Sequence, residues 1–285
     1  MSVDLSKAEE FIYRHARVLE RHQYAGNHRA ATTAVIAYQN DDGGFGNALE
    51  PDCRAAPSQP VATEWALRVL EEAGSLDHPA VKAAGEWCGT ILTQEGALPF
   101  CLPNVEGWPR APWWNPEGDP NPPNLVPTSG IVATLRNAKV KLDWLDRAEQ
   151  WCLQTAIDSE KISQYAAPGV IALSKATSDT GAGEKVLSRL YDLLGSGEIV
   201  PLDPDAESGS DTHSPLQIVK SPYHPLRSSL KDDVVEVFLA RLEAEQQEDG
   251  GWAVDWPAPG ETAIGNWRAI RTIEALTVLR NYGRL

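Results

Sequence analysis

A polar phrase with a pair of glycines occurs twice in this chain of 285 residues, once near each end. The first copy reads QNDDGGFGNALEPD and begins at Gln39, and the second reads QQEDGGWAVDWP and begins at Gln246. Weaker echoes, LTQEGALPF and LGSGEIVPL, lie between them, and the glutamine of the first echo, Gln94, follows Gln39 by 55 residues. Such a spacing is typical of a repeat in which each unit is one helical hairpin with its loop.

The segments between the copies carry the 3.6-residue periodicity of helices. Val61 and Trp65 begin an apolar stripe that stops before Gly74, a natural C-terminal signal. Ser229, three residues before Asp232, resembles a capping box at the start of another helix. No segment alternates as a strand does, so the sequence predicts an all-α fold of about ten helices. Further helical patterns cover 5–21, 28–39, 79–92, 129–138, 143–157, 167–177, 183–194 and 270–279.

The motif Q-x-x-D-G-G-[FW] at a helix end resembles the repeat of the squalene cyclase and prenyltransferase superfamily. The phrases GFGNALEPDCRAAPSQPVAT and APWWN also resemble a branch of short bacterial prenyltransferase-like proteins. The resemblance implies one domain over residues 1–285, folded as an α/α toroid. Five or six helical hairpins would form its inner and outer rings. The motif identifies a fold and leaves the reaction open.

The first half of the phrase favours a structural role, and we call residues 39–45 and 246–252 the first and second brace. Paired glycines permit a positive φ or a close backbone approach after a helix. The glutamine amide can hydrogen-bond backbone groups at a neighbouring helix end. We therefore interpret Gln39, Asp42, Gln246 and Asp249 as structural residues that recur because the hairpins recur.

The catalytic motifs of the superfamily are incomplete in this sequence. The Asp-x-Asp-Asp of protonation-initiated cyclases is matched only by Asp203 and Asp205, with Ala206 in the last position. Protein prenyltransferases bind zinc through Asp-x-Cys and a distant His, whereas Asp52 and Cys53 are adjacent here. The Asp-rich magnesium motif is absent as well. We therefore expect no metal and no cofactor.

An acidic, proline-rich loop over residues 197–227 leaves one metal alternative open. Its carboxylates and imidazoles are possible ligands of a divalent cation, but no two of them have the close spacing of a metal site. A solvated acidic loop is the favoured interpretation. The residues concerned are Asp203, Asp205, Asp211, His213 and His224.

The residues directly after the first brace are better candidates for chemistry. Glu50, Asp52 and Arg54 lie within five residues, and Pro51 stiffens the backbone between the two acids. Next to an apolar cavity, burial and a neighbouring cation would push the two carboxyl pKa values apart. One carboxyl would stay protonated while the other pairs with Arg54, and ring closure would bring Asp255 into the same catalytic set. The alternative is a salt-bridged rim that caps helices.

Tryptophans in loops are the candidates for binding a substrate. Residues 102–127 hold eight prolines and three tryptophans, so this long loop is predicted to pack as a cap over one mouth of the toroid. Trp108, Trp113 and Trp114 lie in it, and Trp256 comes after the second brace. Their rings would line a pocket for an isoprenoid, stack on a sugar or stabilise a cation.

The charge of the chain limits its partners. A net charge of −15 repels phosphate backbones and anionic lipids, so we expect neither nucleic acid binding nor membrane insertion. The N-terminus lacks the apolar run of a signal peptide. The four scattered cysteines fit a reducing cytoplasm; they are Cys53, Cys88, Cys101 and Cys152.

These patterns predict an enzyme that binds a small, largely apolar metabolite, of terpenoid type, in a central cavity and acts on it through carboxylates. Two alternatives stay open. One is a carbohydrate-active toroid, because paired carboxylates beside tryptophan platforms suit glycoside cleavage. The other is a binding or scaffold module without catalysis. The sequence leaves the oligomeric state open.

Overall fold

Helices form the architecture of the computed structural model, which describes residues 3–116, 118, 121–206 and 214–285. These residues form eleven α-helices and three short 3-10 helices, and their β-type pairings are isolated bridges. The predicted all-α class is confirmed, whereas the toroid stays a prediction. None of these described helices has both the length and the apolar character that crossing a bilayer requires.

The α-helices are numbered in chain order. They are α1 (Leu5–His15), α2 (Val18–Tyr24), α3 (His28–Ile36), α4 (Pro60–Glu72), α5 (Pro79–Gly89), α6 (Leu125–Asn137), α7 (Leu145–Asp158), α8 (Ala167–Ala176), α9 (Thr180–Gly195), α10 (Asp232–Ala244) and α11 (Glu261–Asn281). The 3-10 helices are Pro103–Val105, Pro215–Gln217 and Arg227–Ser229.

The chain divides into two compact units. The first unit comprises the residues up to Gly26 together with Arg189–Leu285, and it holds α1, α2, α10, α11 and the end of α9. The second unit comprises Asn27–Ser188 and holds α3–α8 with the start of α9. The single domain expected over 1–285 stays a prediction.

Helix α6 is central to the second unit and packs against α4, α5, α7 and α8. Its residues from Pro127 to Leu135 are all buried. The contact with α8 is close because two glycines meet there: a Cβ at Gly169 would lie 2.4 Å from Ser129 Oγ and 2.9 Å from Gly130 N. Backbones approach this closely only where a residue has no side chain.

The first brace is a tight turn between α3 and the loop before α4. Gln39 and Phe45 pair as an antiparallel bridge, and Gln39 Nε2 donates to Gly43 O at 2.9 Å. The Asp42 carboxylate accepts a hydrogen bond from Gly44 N at 2.9 Å, which is the Asx-turn geometry of aspartate. The side chains of Gln39 and Asp42 therefore stabilise the turn through hydrogen bonds to its backbone.

The second brace repeats this geometry after α10. Gln246 and Trp252 form the bridge, and Gln246 Nε2 donates to Gly250 O at 3.0 Å. The Asp249 carboxylate accepts from Gly251 N at 3.1 Å. The repeated phrase of the sequence thus folds into the same turn twice.

Each brace is also tied to the next long helix along the chain. The backbone N–H of its aromatic residue donates to a threonine hydroxyl, Thr63 on α4 at 3.0 Å and Thr272 on α11 at 3.1 Å. At the second brace, Gln246 in addition satisfies the start of α1, since Asp4 N donates to its Oε1 at 2.7 Å. The glutamine amide thus serves a helix terminus, where backbone groups lack intrahelical partners.

The periodicity over residues 5–21 predicts one helix, but these residues form parts of two. The chain becomes extended at Ala16 and Arg17, which end α1 and precede α2. Side chains stabilise this break: Arg21 Nε donates to Ala16 O at 2.8 Å, and Arg17 pairs with Glu20 at 2.5 Å. Apolar periodicity continues across the break, so the pattern alone does not show it.

The predicted capping box at Ser229 and Asp232 is wrong. Helix α10 begins at Asp232 itself, after Lys231, and no side chain caps it. Ser229 lies in a 3-10 helix, where its Oγ donates to Leu226 O at 2.8 Å. The Asp232 carboxylate pairs with Arg227 at 2.6 Å. Both side chains of the expected box therefore have other partners.

We expect Gly44→Ala and Gly251→Ala to destabilise the protein. A Cβ at these positions would lie 2.6 Å from the ring of Trp87 and 2.7 Å from the ring of Phe11. Overpacking of this kind costs on the order of 1–3 kcal/mol. The free energy of unfolding in denaturant is the measurement. Gly265→Ala is the control, because this helical glycine has open space around it. The control variant should be more stable than wild type by up to about 1 kcal/mol. Equal unfolding free energies for all three variants would contradict the close packing of the two braces.

We also expect the second brace to weaken in acid. Arg268 donates two hydrogen bonds to Asp249, at 2.8 and 2.9 Å, and these hold the pKa of Asp249 below its usual range. The contribution of a carboxyl with a depressed pKa is complete above about pH 5 and is lost as the pH falls through the folded-state pKa. Since Asp249 is half-exposed, Asp249→Asn should cost less than about 1 kcal/mol at neutral pH.

The measurement is the difference in unfolding free energy between wild type and Asp249→Asn from pH 7 down to 3. This difference should shrink below about pH 4. Asp41→Asn, at an exposed position of the first brace, is the matched control and should change little throughout. A difference that stays constant to the lowest pH would show that the ion pair with Arg268 does not stabilise the turn.

Candidate functional site

A cavity of about 270 Å³ lies within the first unit. Its walls come from α10, α11, the 3-10 helix Pro215–Gln217 and the segment after the second brace. Much of the wall is apolar, supplied by Leu216, Phe238, Leu242, Trp252, Ala275 and Val278. Concave, largely apolar sites of this kind are where proteins bind small molecules.

The second brace determines which side chains reach this cavity. Trp252 is buried, and its Nε1 donates to Leu242 O on α10 at 2.8 Å. Its backbone N–H bonds Thr272 on α11, so this one residue connects the two helices that form the cavity. Asp255 and Trp256 come directly after it and line the cavity. The turn geometry of the repeat therefore positions two of the residues predicted for the site.

Trp256 brings one polar group to the apolar wall. Its ring packs edge-on against Trp267 of α11, with ring centroids 5.3 Å apart and an interplanar angle of 81°. The indole Nε1 of Trp256 is buried and donates to none of the described residues. Leaving such a donor unsatisfied costs about 1–3 kcal/mol, and most buried polar groups have a partner. The arrangement suits a ligand that presents an acceptor to Trp256.

Two cations at the cavity share one carboxylate. Glu274 pairs with Lys220 at 3.3 Å and with Arg271 at 3.5 Å. The Arg271 side chain is only 19% exposed, so its charge is less screened than that of a surface arginine. The six charged residues that line the cavity are three cations and three anions, so their formal charges balance: Lys220, Arg241, Arg271, Glu245, Asp255 and Glu274.

The other two carboxylates at the cavity, Glu245 and Asp255, differ in their ion pairing. Glu245 pairs with Arg241 at 2.9 Å. Asp255 is exposed and forms no ion pair with the residues that the structure describes. Asp255 is therefore the lining carboxylate that is most available to a bound molecule.

The predicted catalytic loop lies in the second unit, where backbone pairing fixes it. Arg54 N donates to Pro109 O at 2.9 Å, and Asp52 O accepts from Ala111 N at 2.8 Å. The side chains of Glu50 and Asp52 are buried, at 5% and 3% exposure. The loop with Glu50 and Asp52 therefore packs against the 102–127 loop, which carries the tryptophans.

Two arginines bear on this loop, Arg54 within it and Arg110 from the neighbouring loop, and the catalytic role of Arg54 stays a prediction. Arg54 forms no ion pair with Glu50 or Asp52 within the described part of the chain. Burial raises the pKa of the Cys53 thiol to about 11, and the charges of the two carboxylates add to this rise. The charge of Arg110 opposes it. Arg110 is therefore close enough to influence the Cys53 thiol.

The tryptophans of the 102–127 loop fall into a buried and an exposed group. Trp114 is buried in a small apolar cluster with Cys53, and its ring packs against Phe100 at 5.0 Å between centroids. Trp108 and Trp113 are each 40% exposed. Only one of the three rings in this loop is therefore enclosed by protein.

The predicted site residues belong to two units. The structure brings together those of the second unit, where two loops pack on each other: Glu50, Asp52, Arg54, Trp108, Trp113 and Trp114. Asp255 and Trp256 line the cavity of the first unit. The predicted approach of Asp255 to the Glu50 loop by ring closure stays a prediction.

The acidic loop is described only in part. Asp203 and Asp205 are exposed, and His224 Nδ1 accepts a hydrogen bond from Leu226 N at 3.3 Å. Asp211 and His213 lie outside the described residues. Among the residues with described positions, no group of three or more His, Cys, Asp or Glu is placed to hold a metal ion.

Sequence reasoning missed several residues of the cavity. Arg271 and Glu274 lie beside the apolar stripe of α11, and Lys220 comes from a loop far from it in sequence. Charged residues beside an apolar stripe are usual on amphipathic helices, so the first two gave no specific signal. Lys220 has no local signal, because only the folded chain brings it to α11.

Glu64 on α4 is a further acid that the sequence did not reveal. Its carboxylate packs against Gly130 of α6, where a Cβ would lie 2.7 Å from Oε1. Burial raises the pKa of Glu64, and Arg68 at 3.5 Å opposes the rise. The glycine on the neighbouring helix makes room for this side chain.

Comparisons with known proteins give a fold and no activity. No family model matches the chain, and no curated protein matches it. Among solved structures, the chain resembles a protein from Actinoplanes, with a TM-score of 0.57 and 15% sequence identity. The match covers 96% of this chain and 88% of that chain. At this level of identity the likeness shows a similar fold alone.

Proposed function

We propose that the protein binds a small, largely apolar metabolite in the cavity of its first unit. The proposal rests on the indole N–H of Trp256, which is buried at an apolar wall and has no acceptor among the described residues. A ligand with one acceptor group would complete this hydrogen bond, and its apolar body would exclude water from the wall.

The size of the cavity narrows the class of ligand. At about 270 Å³ it lies near the lower end of small-molecule pockets. A short isoprenoid or terpenoid compound suits this volume and lining. The Q-x-x-D-G-G resemblance to terpenoid cyclases and prenyltransferases favours the same class.

Acid–base catalysis is the enzymatic form of this proposal. Asp255 would act as the general acid or base, because it lines the cavity and forms no ion pair with the described residues. An apolar substrate held against Trp256 would undergo a transferase, lyase or isomerase reaction of the terpenoid kind. A reducing cytoplasm suits this protein, since its four cysteines are free and buried.

Carbohydrate binding is a second candidate, favoured by the exposed ring pair Trp108 and Trp113. Arg110 stiffens their loop, since its guanidinium donates to Val105 O at 3.2 Å and to Asn115 Oδ1 at 3.1 Å. Flat exposed rings on a stiff loop are suited to stacking on a sugar. Glycoside cleavage is less supported, because it requires two accessible carboxyls and the predicted acids Glu50 and Asp52 are buried.

Native mass spectrometry of the gently purified protein tests the cavity as a ligand site. We expect one small molecule per chain, either co-purified or taken up from a panel of short isoprenoid alcohols, aldehydes and acids. Ala275→Leu should abolish this binding, because the added carbons occupy the cavity. Ala240→Leu, at an exposed position of α10, is the matched control and should bind as wild type does.

Circular dichroism should confirm that both variants keep their helices. Equal occupancy of wild type and Ala275→Leu would place the ligand elsewhere. A folded wild-type protein that takes up no member of the panel would also contradict the proposal. A bound glycan would instead support the second candidate.

A further inference from the structure

Two consecutive residues bring polar groups without a described partner to the cavity. The indole N–H of Trp256 is buried and donates to none of the described residues. The Asp255 carboxylate forms no ion pair or hydrogen bond with these residues, and both side chains line the cavity. Consecutive Cα atoms are about 3.8 Å apart, so the two residues belong to the same part of the lining. The cavity therefore presents one donor and one acceptor to a bound molecule.

Other polar groups of the lining are engaged within the protein. Lys220 Nζ donates to Glu274 at 3.3 Å, and Arg241 Nε donates to Glu245 at 2.9 Å. Gln247 Nε2 donates to the backbone oxygen of Glu245 at 2.7 Å. A ligand gains less from such groups, because a new hydrogen bond to them replaces one that already exists.

The charges of the lining favour a neutral molecule. The lining holds three cations and three anions, so neither sign is in formal excess. An anionic head would meet the Asp255 carboxylate, and like charges repel each other. A cationic ammonium has no lone pair with which to accept the Trp256 N–H. Moving either kind of charge from water to a partly apolar cavity also costs free energy.

The rest of the lining suits a hydrocarbon chain. Phe238 and Leu242 of α10 and Val278 of α11 belong to the wall, and none of them carries a polar side-chain group. A molecule with one small neutral polar group and an apolar body would therefore match both parts of the cavity.

We infer that the cavity binds a neutral, apolar alcohol, whose hydroxyl donates to Asp255 and accepts the Trp256 N–H while its hydrocarbon body covers the apolar wall. This inference rests on the proposed function and names its substrate class. A hydroxyl is both a donor and an acceptor, so it complements both groups. A ketone or an ether only accepts, and it offers no donor to Asp255.

Isothermal titration calorimetry with four compounds of equal carbon number tests the inference. They are octan-2-ol, octan-2-one, octan-2-amine and octanoate; at neutral pH the amine is a cation. We expect octan-2-ol to bind about tenfold more tightly than octan-2-one, because the ketone lacks the hydrogen bond to a charged carboxylate. The amine and octanoate should both bind more weakly than octan-2-ol.

Variants assign the two hydrogen bonds separately. Asp255→Ala removes the acceptor and should abolish the preference for octan-2-ol over octan-2-one. Asp255→Asn keeps an acceptor oxygen without its charge, so it should retain part of this preference and bind octanoate more tightly than wild type does. Trp256→Phe removes the N–H and should weaken the alcohol and the ketone alike, by about fivefold, with their ratio unchanged.

The matched controls are Asp41→Ala and Trp108→Phe, because both residues are exposed and belong to the second unit. Both control variants should bind the four compounds as wild type does. Circular dichroism should show that every variant keeps its helices.

The outcomes separate this inference from the proposed function. Equal affinity for octan-2-ol and octan-2-one, or a preference that survives Asp255→Ala in a folded protein, would overturn the alcohol while leaving an apolar ligand site. Tighter binding of octanoate or of the amine would overturn it in favour of a charged head. Failure of all four compounds to bind would overturn it too, and the native mass spectrometry of Ala275→Leu would decide the cavity separately.

Discussion

The glycine-paired turn is the constraint on which the described features of both units depend. In each brace a glutamine amide bonds the backbone of its own turn, and a glycine adopts a positive φ, +94° at Gly43 and +92° at Gly250. A side chain at Gly43 would meet Ala83 O at 2.6 Å, and one at Gly250 would meet Lys7 O at 2.4 Å. The turn therefore has to be made of glycine, and it packs its backbone directly on a neighbouring helix.

The segments that leave the two braces differ, and this difference determines the two candidate sites. After the first brace the chain enters a loop in which Asn47 and Ala48 have positive φ, and it buries Glu50 and Asp52 there. After the second brace the chain runs past Trp252 to the cavity. The same local turn thus leads to a buried acidic loop in one unit and to a partly apolar cavity in the other.

The turn and the helices were predictable because their signals are local. Q-x-x-D-G-G specifies hydrogen bonds within a few residues, and periodicity specifies helices. The partners of the loops were not predictable, since Arg110 reaches the Cys53 cluster from a distant segment and Lys220 reaches Glu274 across 54 residues. Ser229 shows the limit of local signals as well, because a neighbouring 3-10 turn uses the hydroxyl that a capping box would need.

The most direct test of the ligand cavity is a crystal structure of the protein grown with the short isoprenoid compound that it binds most tightly. We expect density for the apolar body of this compound in the cavity of the first unit, with an acceptor oxygen about 2.7–3.2 Å from Trp256 Nε1. An ordered compound bound elsewhere, or an acceptor group turned to solvent with the Trp256 N–H still lacking an acceptor, would contradict the assignment of this cavity as the ligand site.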